Sequence, residues 1–212
     1  MISNVSQRGS RRPVVKDGDV RDALHKKVLA EHHGEPDTLV LDELGLEHGS
    51  CRVDIAVING MIHGYEIKSD ADTLERLPFQ AQVYSRTLDK VTLVCGAGHI
   101  DKATAIVPEW WGIKLAVGGS RGAVHFEDVR RPKLNRTLDA EALAMLLWRN
   151  EALALLEAVE AGKGMKSKSR AALYKRLTET MPLQQLRDQV RACLKSRTQW
   201  RPSASSQTSG GD

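Results

Sequence analysis

Residues 51–70 read CRVDIAVINGMIHGYEIKSD, and the Asn59-Gly60 pair in the middle is the strongest short-range signal for a β-hairpin. Val53, Ile55, Val57, Met61, Tyr65 and Ile67 are apolar, so the odd positions commit one face of both strands to a core. The even positions Asp54, Ala56, Gly64, Glu66 and Lys68 share the other face: two carboxylates and an amine, with small residues between them. A two-residue loop would pair Ile58 with Met61 and set Asp54 and Glu66 on opposite faces, in conflict with the core pattern. A type I turn with Gly60 in the left-handed bulge position pairs Val57 with Met61 instead. Asp54 then lies opposite Gly64 and diagonal to Glu66, and the carboxylates converge.

Outward from the hairpin, β-rich runs at residues 39–44, 91–95, 113–117 and 124–129 join the hairpin strands at 51–58 and 61–68, with one or two helices interposed. This pattern predicts an α/β domain ending near residue 130. Ahead of it, Asp19 can cap a helix whose stripe is Val20, Leu24, Val28 and Leu29, running to about His33 and stopping at Gly34. Beyond it, Thr137 can cap one long helix over LDAEALAMLLWRNEALALLEAVEA, with Asp139 and Glu141 in its first turn and Gly162 past its end. Two basic helices separated by Pro182 follow. The expected organisation is a disordered tail over 1–15, a core over 16–132, a basic helical unit over 133–201 and a second disordered tail over 202–212.

The 212 residues, 41% hydrophobic and 27% charged, suit one soluble domain with an appendage and exclude two large domains or a wholly disordered chain. No stretch approaches the ~20 apolar residues of a membrane helix. The start MISNVSQRGSRRP lacks the apolar centre of a secretory signal, so a cytoplasmic location is expected. Cys51, Cys95 and Cys193 are isolated and the seven histidines show no ligand spacing, so neither a disulfide framework nor zinc is expected. The net charge of +4 is uneven: residues 162–201 hold eleven basic residues against Glu179 and Asp188. Such a block fits either a phosphate-backbone partner or a solvated helical face.

Two carboxylates on adjacent strands suit Mg²⁺, which takes oxygen ligands and keeps several waters. Lys68, two residues after Glu66, leans over the same site. There it would orient an attacking water or offset transition-state charge on a phosphodiester. The same spacing also occurs as surface Glu-Lys and Asp-Arg pairs on a solvated hairpin.

In order, spacing and strand placement, Asp54 and Glu66-Ile67-Lys68 resemble the PD-(D/E)XK nuclease superfamily, with Val53 where its usual Pro stands. Gln80 and Tyr84, four apart in the expected helix PFQAQVY, look like the Gln-x-x-x-Tyr motif of RecB-like nucleases. HGYEIKSDADTLERLPFQAQVYSRTLDKVTLVCG and VPEWWGI are similar to a bacterial family within the superfamily, distantly akin to MmcB-type DNA-repair proteins. The resemblance covers roughly residues 20–130. It implies a restriction-endonuclease-like α/β/α core with a mixed central sheet, followed here by the helical unit. It also implies a metal-dependent nuclease on nucleic acid, DNA first, with Mg²⁺ as cofactor and Mn²⁺ as its substitute.

On that resemblance Asp54, Glu66, Lys68, Gln80 and Tyr84 are the catalytic set, and Asp54, Glu66 and the Ile67 carbonyl are metal ligands. Glu43 is the candidate third acid, ahead of Glu47, Glu31 and Asp42; residues 39–44 fit either a strand or a short helix, and the choice decides whether Glu43 or Asp42 faces inward. Asp70 and Asp72 are read as caps of the next helix, ahead of a supporting place around the metal ligands. His48 and His63 are read as turn and strand residues, Trp111 or Trp110 as a core plug, and Arg76 as either a phosphate contact or a solvated side chain. A homodimer and a protein partner for the helical unit are both compatible with this reading, as is a nuclease fold that binds without cutting.

Overall fold

The computed structural model describes residues 15–119 and 122–198. The tails expected over 1–15 and 202–212 lie outside the described residues except for Val15. That residue is buried and gives its N–H to Asp70 Oδ2 at 3.3 Å, so the ordered core begins at least there.

Six strands form one mixed sheet in sequence order: β1 (Leu39–Leu46), β2 (Cys51–Ile58), β3 (Ile62–Lys68), β4 (Lys90–Cys95), β5 (Gly112–Gly118) and β6 (Val124–Arg130). Antiparallel pairing joins β1 to β2, β2 to β3 and β5 to β6, while β3, β4 and β5 run parallel. The parallel connections are made by α3 (Leu77–Thr87) and α4 (Ile100–Ile106), as parallel strands require a crossover. On one face, Val20, Leu24 and Leu29 pack over Ile55, Val57, Tyr65 and Ile67. On the other, α3 and the C-terminal helices share one hydrophobic cluster with Ala56, Ile58, Ile62 and Leu93. The result is an α/β/α core in which the hairpin strands are buried on both faces.

The hairpin turns in a different register from the one expected. Ile58 pairs with Ile62 and Ala56 with Gly64, and Gly60 is not among the positive-φ glycines of the described residues. Asn59 closes a three-residue loop instead: its N–H reaches the Met61 carbonyl at 3.0 Å and its Oδ1 accepts the Met61 N–H at 3.2 Å. The shift is by two residues and would keep the even positions together, but the alternation of β2 breaks at Asp54–Ile55: Val53 packs with Ala56 and Ile58 on the α3 side, Ile55 and Val57 on the α1 side. The odd positions therefore do not form one core face as expected, and Asp54 turns toward Arg21 of α1 while Glu66 turns toward α3.

The first helix is interrupted. After α1 (Asp17–Ala23) a π-turn spans Leu24–Val28, closed by Leu29 N–H to Leu24 O at 2.9 Å, before the short α2 (Ala30–Gly34). The extra residue carries both Leu24 and Leu29 inward, each fully buried. The long helix expected after Thr137 is two: α5 (Ala140–Ala144) and α6 (Arg149–Ala158). Asp139, not Thr137, caps the first by accepting the Ala142 N–H at 2.8 Å. Thr137 bonds Asn135 Oδ1 at 2.8 Å. Glu151 stops the run at Trp148 by taking its N–H at 2.6 Å. The final pair, α7 (Arg170–Thr180) and α8 (Leu183–Ser196), flanks Pro182 as expected. Arg187 of α8 ties this unit to the sheet through Asp89, at 2.5 Å, and Asp89 also accepts the Ile62 N–H at 2.7 Å. Among the described residues no helix is long and apolar enough to cross a membrane.

Candidate active site

Glu66 lies near the end of β3, between the buried Tyr65 and Ile67, with its side chain against α3 and only 1% of it exposed. Burying a carboxylate is costly unless its oxygens are bonded, and both are. Oε1 accepts from Lys68 Nζ and from Gln80 Nε2, each at 2.5 Å. Oε2 faces the Tyr84 hydroxyl at 2.6 Å, and that hydroxyl also lies 2.5 Å from the Arg52 carbonyl. Gln80 and Tyr84 reach Glu66 together because α3 puts residues four apart on one face; the same face buries Leu77, Ala81 and Val83. Tyr84 stacks on the fully buried Trp111, with ring centroids 5.7 Å apart. Burial, then the charge and hydrogen bond of Glu66, raise the Tyr84 hydroxyl far above the usual phenol range.

Asp54 occupies the place where the hairpin ladder ends. The last β2–β3 pair is Ile55 with Tyr65. Beyond it the Asp54 carboxylate takes over the bonding, with Oδ2 accepting the Ile67 N–H at 2.7 Å. Asp54 and Glu66 therefore flank one peptide unit. Burial first, and then the charge of Glu66, push the Asp54 carboxyl up to about 7, against the Ile67 N–H, Arg21 and Lys68.

Arg21 of α1 closes the other side. Its Nη1 donates to the Asp54 carbonyl at 2.8 Å, and its Nη2 stands between Asp54 Oδ1 at 3.1 Å and Glu43 Oε1 at 3.2 Å. Burial works to lower the Arg21 guanidinium, but Asp54, Asp17, Glu43 and Asp42 override it and hold it above its ordinary value. Glu43 also meets Arg52 Nε at 3.5 Å. Asp17 also meets Arg21 Nε at 3.7 Å, so four carboxylates (Asp17, Glu43, Asp54, Glu66) face three cations (Arg21, Arg52, Lys68).

Among the described residues no three His, Cys, Asp or Glu side chains gather as a metal-binding group. The donor types nevertheless suit a hard cation. Two carboxylates and the intervening Ile67 carbonyl are oxygen ligands of the kind Mg²⁺ takes, and Gln80 Oε1 is a buried acceptor without a partner. Of the four candidates for a third acid, Glu43 is the one tied to Asp54, through Arg21. Glu47 pairs with Arg86 at 2.6 Å, Asp42 with His25 at 3.0 Å, and Glu31 is exposed.

Several flanking residues have structural duties. Asp70 and Asp72 do not cap α3, which begins after Arg76. Asp72 Oδ2 instead accepts from the Ser69 N–H at 2.7 Å and the Ser69 hydroxyl at 2.6 Å. Asp70 packs on Gly96, where a Cβ would come within 1.9 Å of its Oδ1. His63 stacks on Tyr65 and bonds Thr92 Oγ1 at 2.9 Å, and burial drops it to about 3. His48 stacks on Tyr174. Trp111 is the core plug, Trp110 packs partly buried beside it, and Arg76 is exposed. Nothing in the sequence around Arg21 marks it as part of this site. Its only local signal is Asp17 four residues earlier, which says nothing about α1 crossing above Asp54.

The basic segment divides in two. Arg187, Arg191, Lys195 and Arg197 are used inside the fold, on Asp89, Asp188, Asp37 and Glu151. Lys163, Lys168, Arg170 and Lys175 are exposed around the α6–α7 loop, with Lys166 near Glu157. Arg149 fixes that loop by donating to the carbonyls of Lys166 and Lys168. Arg201 lies outside the described residues.

A protein of unknown function from Silicibacter pomeroyi has a solved structure that aligns with 66% of this chain and 92% of its own, at a TM-score of 0.38 and 20% identity. Protein cII of Enterobacteria phage P4 is 27% identical over 120 residues, which are 57% of this chain and 45% of that protein. The aligned region thus spans about half the length of this curated relative. The family described as Bacteriophage P4 protein cII matches residues 18–207. That span takes in the sheet, the Glu66 cluster and the C-terminal helices, and the chain belongs to this family.

Proposed function

We propose that the chain is a metal-dependent nuclease of PD-(D/E)XK type, acting in the cytoplasm on nucleic acid, with DNA as the first substrate to try. One observation carries the reading: a buried Glu66 held by Lys68, Gln80 and Tyr84, with Asp54 fastened to the next peptide N–H. A structural role needs no such convergence of acids and amine, since apolar residues fill a core at lower cost.

Asp54, Glu66 and the Ile67 carbonyl would hold Mg²⁺, with Mn²⁺ as its substitute and Glu43 as the third acid once released from Arg21. When bound, the ion supplies Lewis-acid polarisation of the phosphate and acidifies water. The chain's residues do the rest. Lys68 Nζ, beside Glu66 and only 12% exposed, orients the attacking water and offsets negative charge at the phosphorus. Gln80 and Tyr84 keep the Glu66 carboxylate in one orientation, and the Ile67 N–H does the same for Asp54. The exposed cations of the α6–α7 loop grip the backbone away from the cut.

A second reading, a nuclease fold that binds DNA or a protein without cutting, is favoured by the ion pairs of the cluster, in which Glu43, Asp54 and Glu66 each already meet a cation. The test is cleavage of labelled linear, circular and single-stranded DNA, and of RNA, with Mg²⁺ or Mn²⁺. Cutting lost in Glu66→Ala and Lys68→Ala supports the nuclease; salt-sensitive binding without cutting by any form supports the second reading.

A further inference from the structure

The charge balance around Asp54 leads beyond the catalytic set. A single nitrogen, Arg21 Nη2, stands between Asp54 Oδ1 and Glu43 Oε1, at 3.1 and 3.2 Å. Those two oxygens come from facing positions on β1 and β2. The ladder pairs Asp42 with Ile55 and Leu44 with Val53, leaving Glu43 and Asp54 opposite each other between them. Glu43 holds φ at +60°, a conformation a non-glycine residue adopts only where its surroundings impose it. The strand is kinked at the residue that faces Asp54.

We propose that Arg21 is a resident cation holding the seat between Asp54 and Glu43, and that a divalent ion takes this seat only by displacing it. The proposal rests on the reading of Asp54 and Glu66 as metal ligands and adds how that site is loaded. Arg21 Nη2 fills the space between the two carboxylate oxygens that an oxygen-seeking cation would use, so the ion and the guanidinium cannot hold it together. Two like charges there would also repel. The released guanidinium, a fork of donors matched to phosphate, remains tethered on α1 beside a bound phosphodiester.

The test is Mn²⁺ binding to the full chain without nucleic acid, read from the loss of the free-ion electron paramagnetic resonance signal. Wild type is compared with Arg21→Gln, Arg21→Lys and Glu66→Gln, each first checked for wild-type circular dichroism. Removing a cation from the seat should tighten Mn²⁺ binding at least about tenfold in Arg21→Gln. Arg21→Lys, which keeps the charge but cannot span three acceptors, should fall between; if Arg21→Gln does not fold, tighter binding in the lysine variant supports the exchange and unchanged binding overturns it. Equal or weaker binding in a folded Arg21→Gln, with binding lost in Glu66→Gln, leaves the metal centre standing and overturns the exchange. Absence of binding by every form, Arg21→Gln included, overturns the metal reading and the exchange with it.

Discussion

The Asp54 carboxylate substitutes for a rung of the sheet, accepting the Ile67 N–H at 2.7 Å just past the last β2–β3 backbone pair. Strands that diverge would leave that N–H unsatisfied in a buried setting. The acid that repairs the gap is thereby fixed next to Glu66, so fold and candidate site are made by the same hydrogen bond.

That position sets a pH dependence. Burial and Glu66 raise the folded-state carboxyl of Asp54 to about 7 from its ordinary 3.8. The folded protein then holds a proton that the unfolded chain has released, so this group's contribution to stability falls as pH rises from about 4 to about 7 and is level above. Asp54→Asn should flatten that slope and, at pH 8, raise stability by on the order of 1–3 kcal/mol, less than full linkage because the Arg21 pair is lost. Urea denaturation at pH 5, 6.5 and 8 measures both, and an unchanged slope in the variant would contradict the assignment.

Tyr84 tests the support of Glu66. Its hydroxyl lies 2.6 Å from Oε2 in a buried setting, and Tyr84→Phe removes the donor while leaving the stack on Trp111. A loss of about 1.5–3 kcal/mol in unfolding free energy is expected, the range for a bond to a charged group. A change below about 0.5 kcal/mol would mean that the bond contributes nothing net.

Arg187 tests how the C-terminal helices are attached. Asp89 is buried and its Oδ1 meets Arg187 at 2.5 Å. Arg187→Ala strands that charge and should cost about 3–5 kcal/mol, whereas Arg187→Ala with Asp89→Asn should recover much of the loss. Chemical denaturation of both variants decides it, and a neutral single variant would contradict the pairing.

For nucleic acid, only the unengaged cations should count. Lys168→Gln with Arg170→Gln should make the logarithmic salt slope of duplex binding shallower by about 1.8, near 0.9 per lost phosphate contact. Fluorescence anisotropy between low and physiological salt measures it; an unaltered slope would remove the α6–α7 loop from the interface.

Five of the six strands were legible within one or two residues because β-branched runs bounded by turn residues leave little choice, as in Cys51–Ile58; Leu39–Leu46 was not, since LVLDEL suits a strand and a short helix alike. The nearness of Asp54 and Glu66 was legible, but not their placement: strict parity put them on one face, whereas β2 loses its alternation at Asp54–Ile55 and Asp54 meets β3 through the Ile67 N–H. The register was not legible, because the side chain of Asn59, rather than a left-handed Gly60, sets the turn. The break at Trp148 escaped a reading of the Ala/Leu run, in which helix propensity is high throughout and only the Glu151 bond marks the stop. Gln80 and Tyr84 were readable from helical spacing, and both reach Glu66. Arg21 was not, since its contacts to Asp54 span 33 residues of sequence and depend on where α1 crosses the sheet.

The most direct test of the central claim is single-turnover cleavage of labelled DNA by wild type and Lys68→Ala at Mn²⁺ and DNA concentrations shown to saturate both. The nuclease account requires wild type to cut, and Lys68→Ala to bind metal and DNA yet cut at least about a hundredfold more slowly, in the range for loss of a positioned catalytic group. Equal cutting by the two proteins would contradict it.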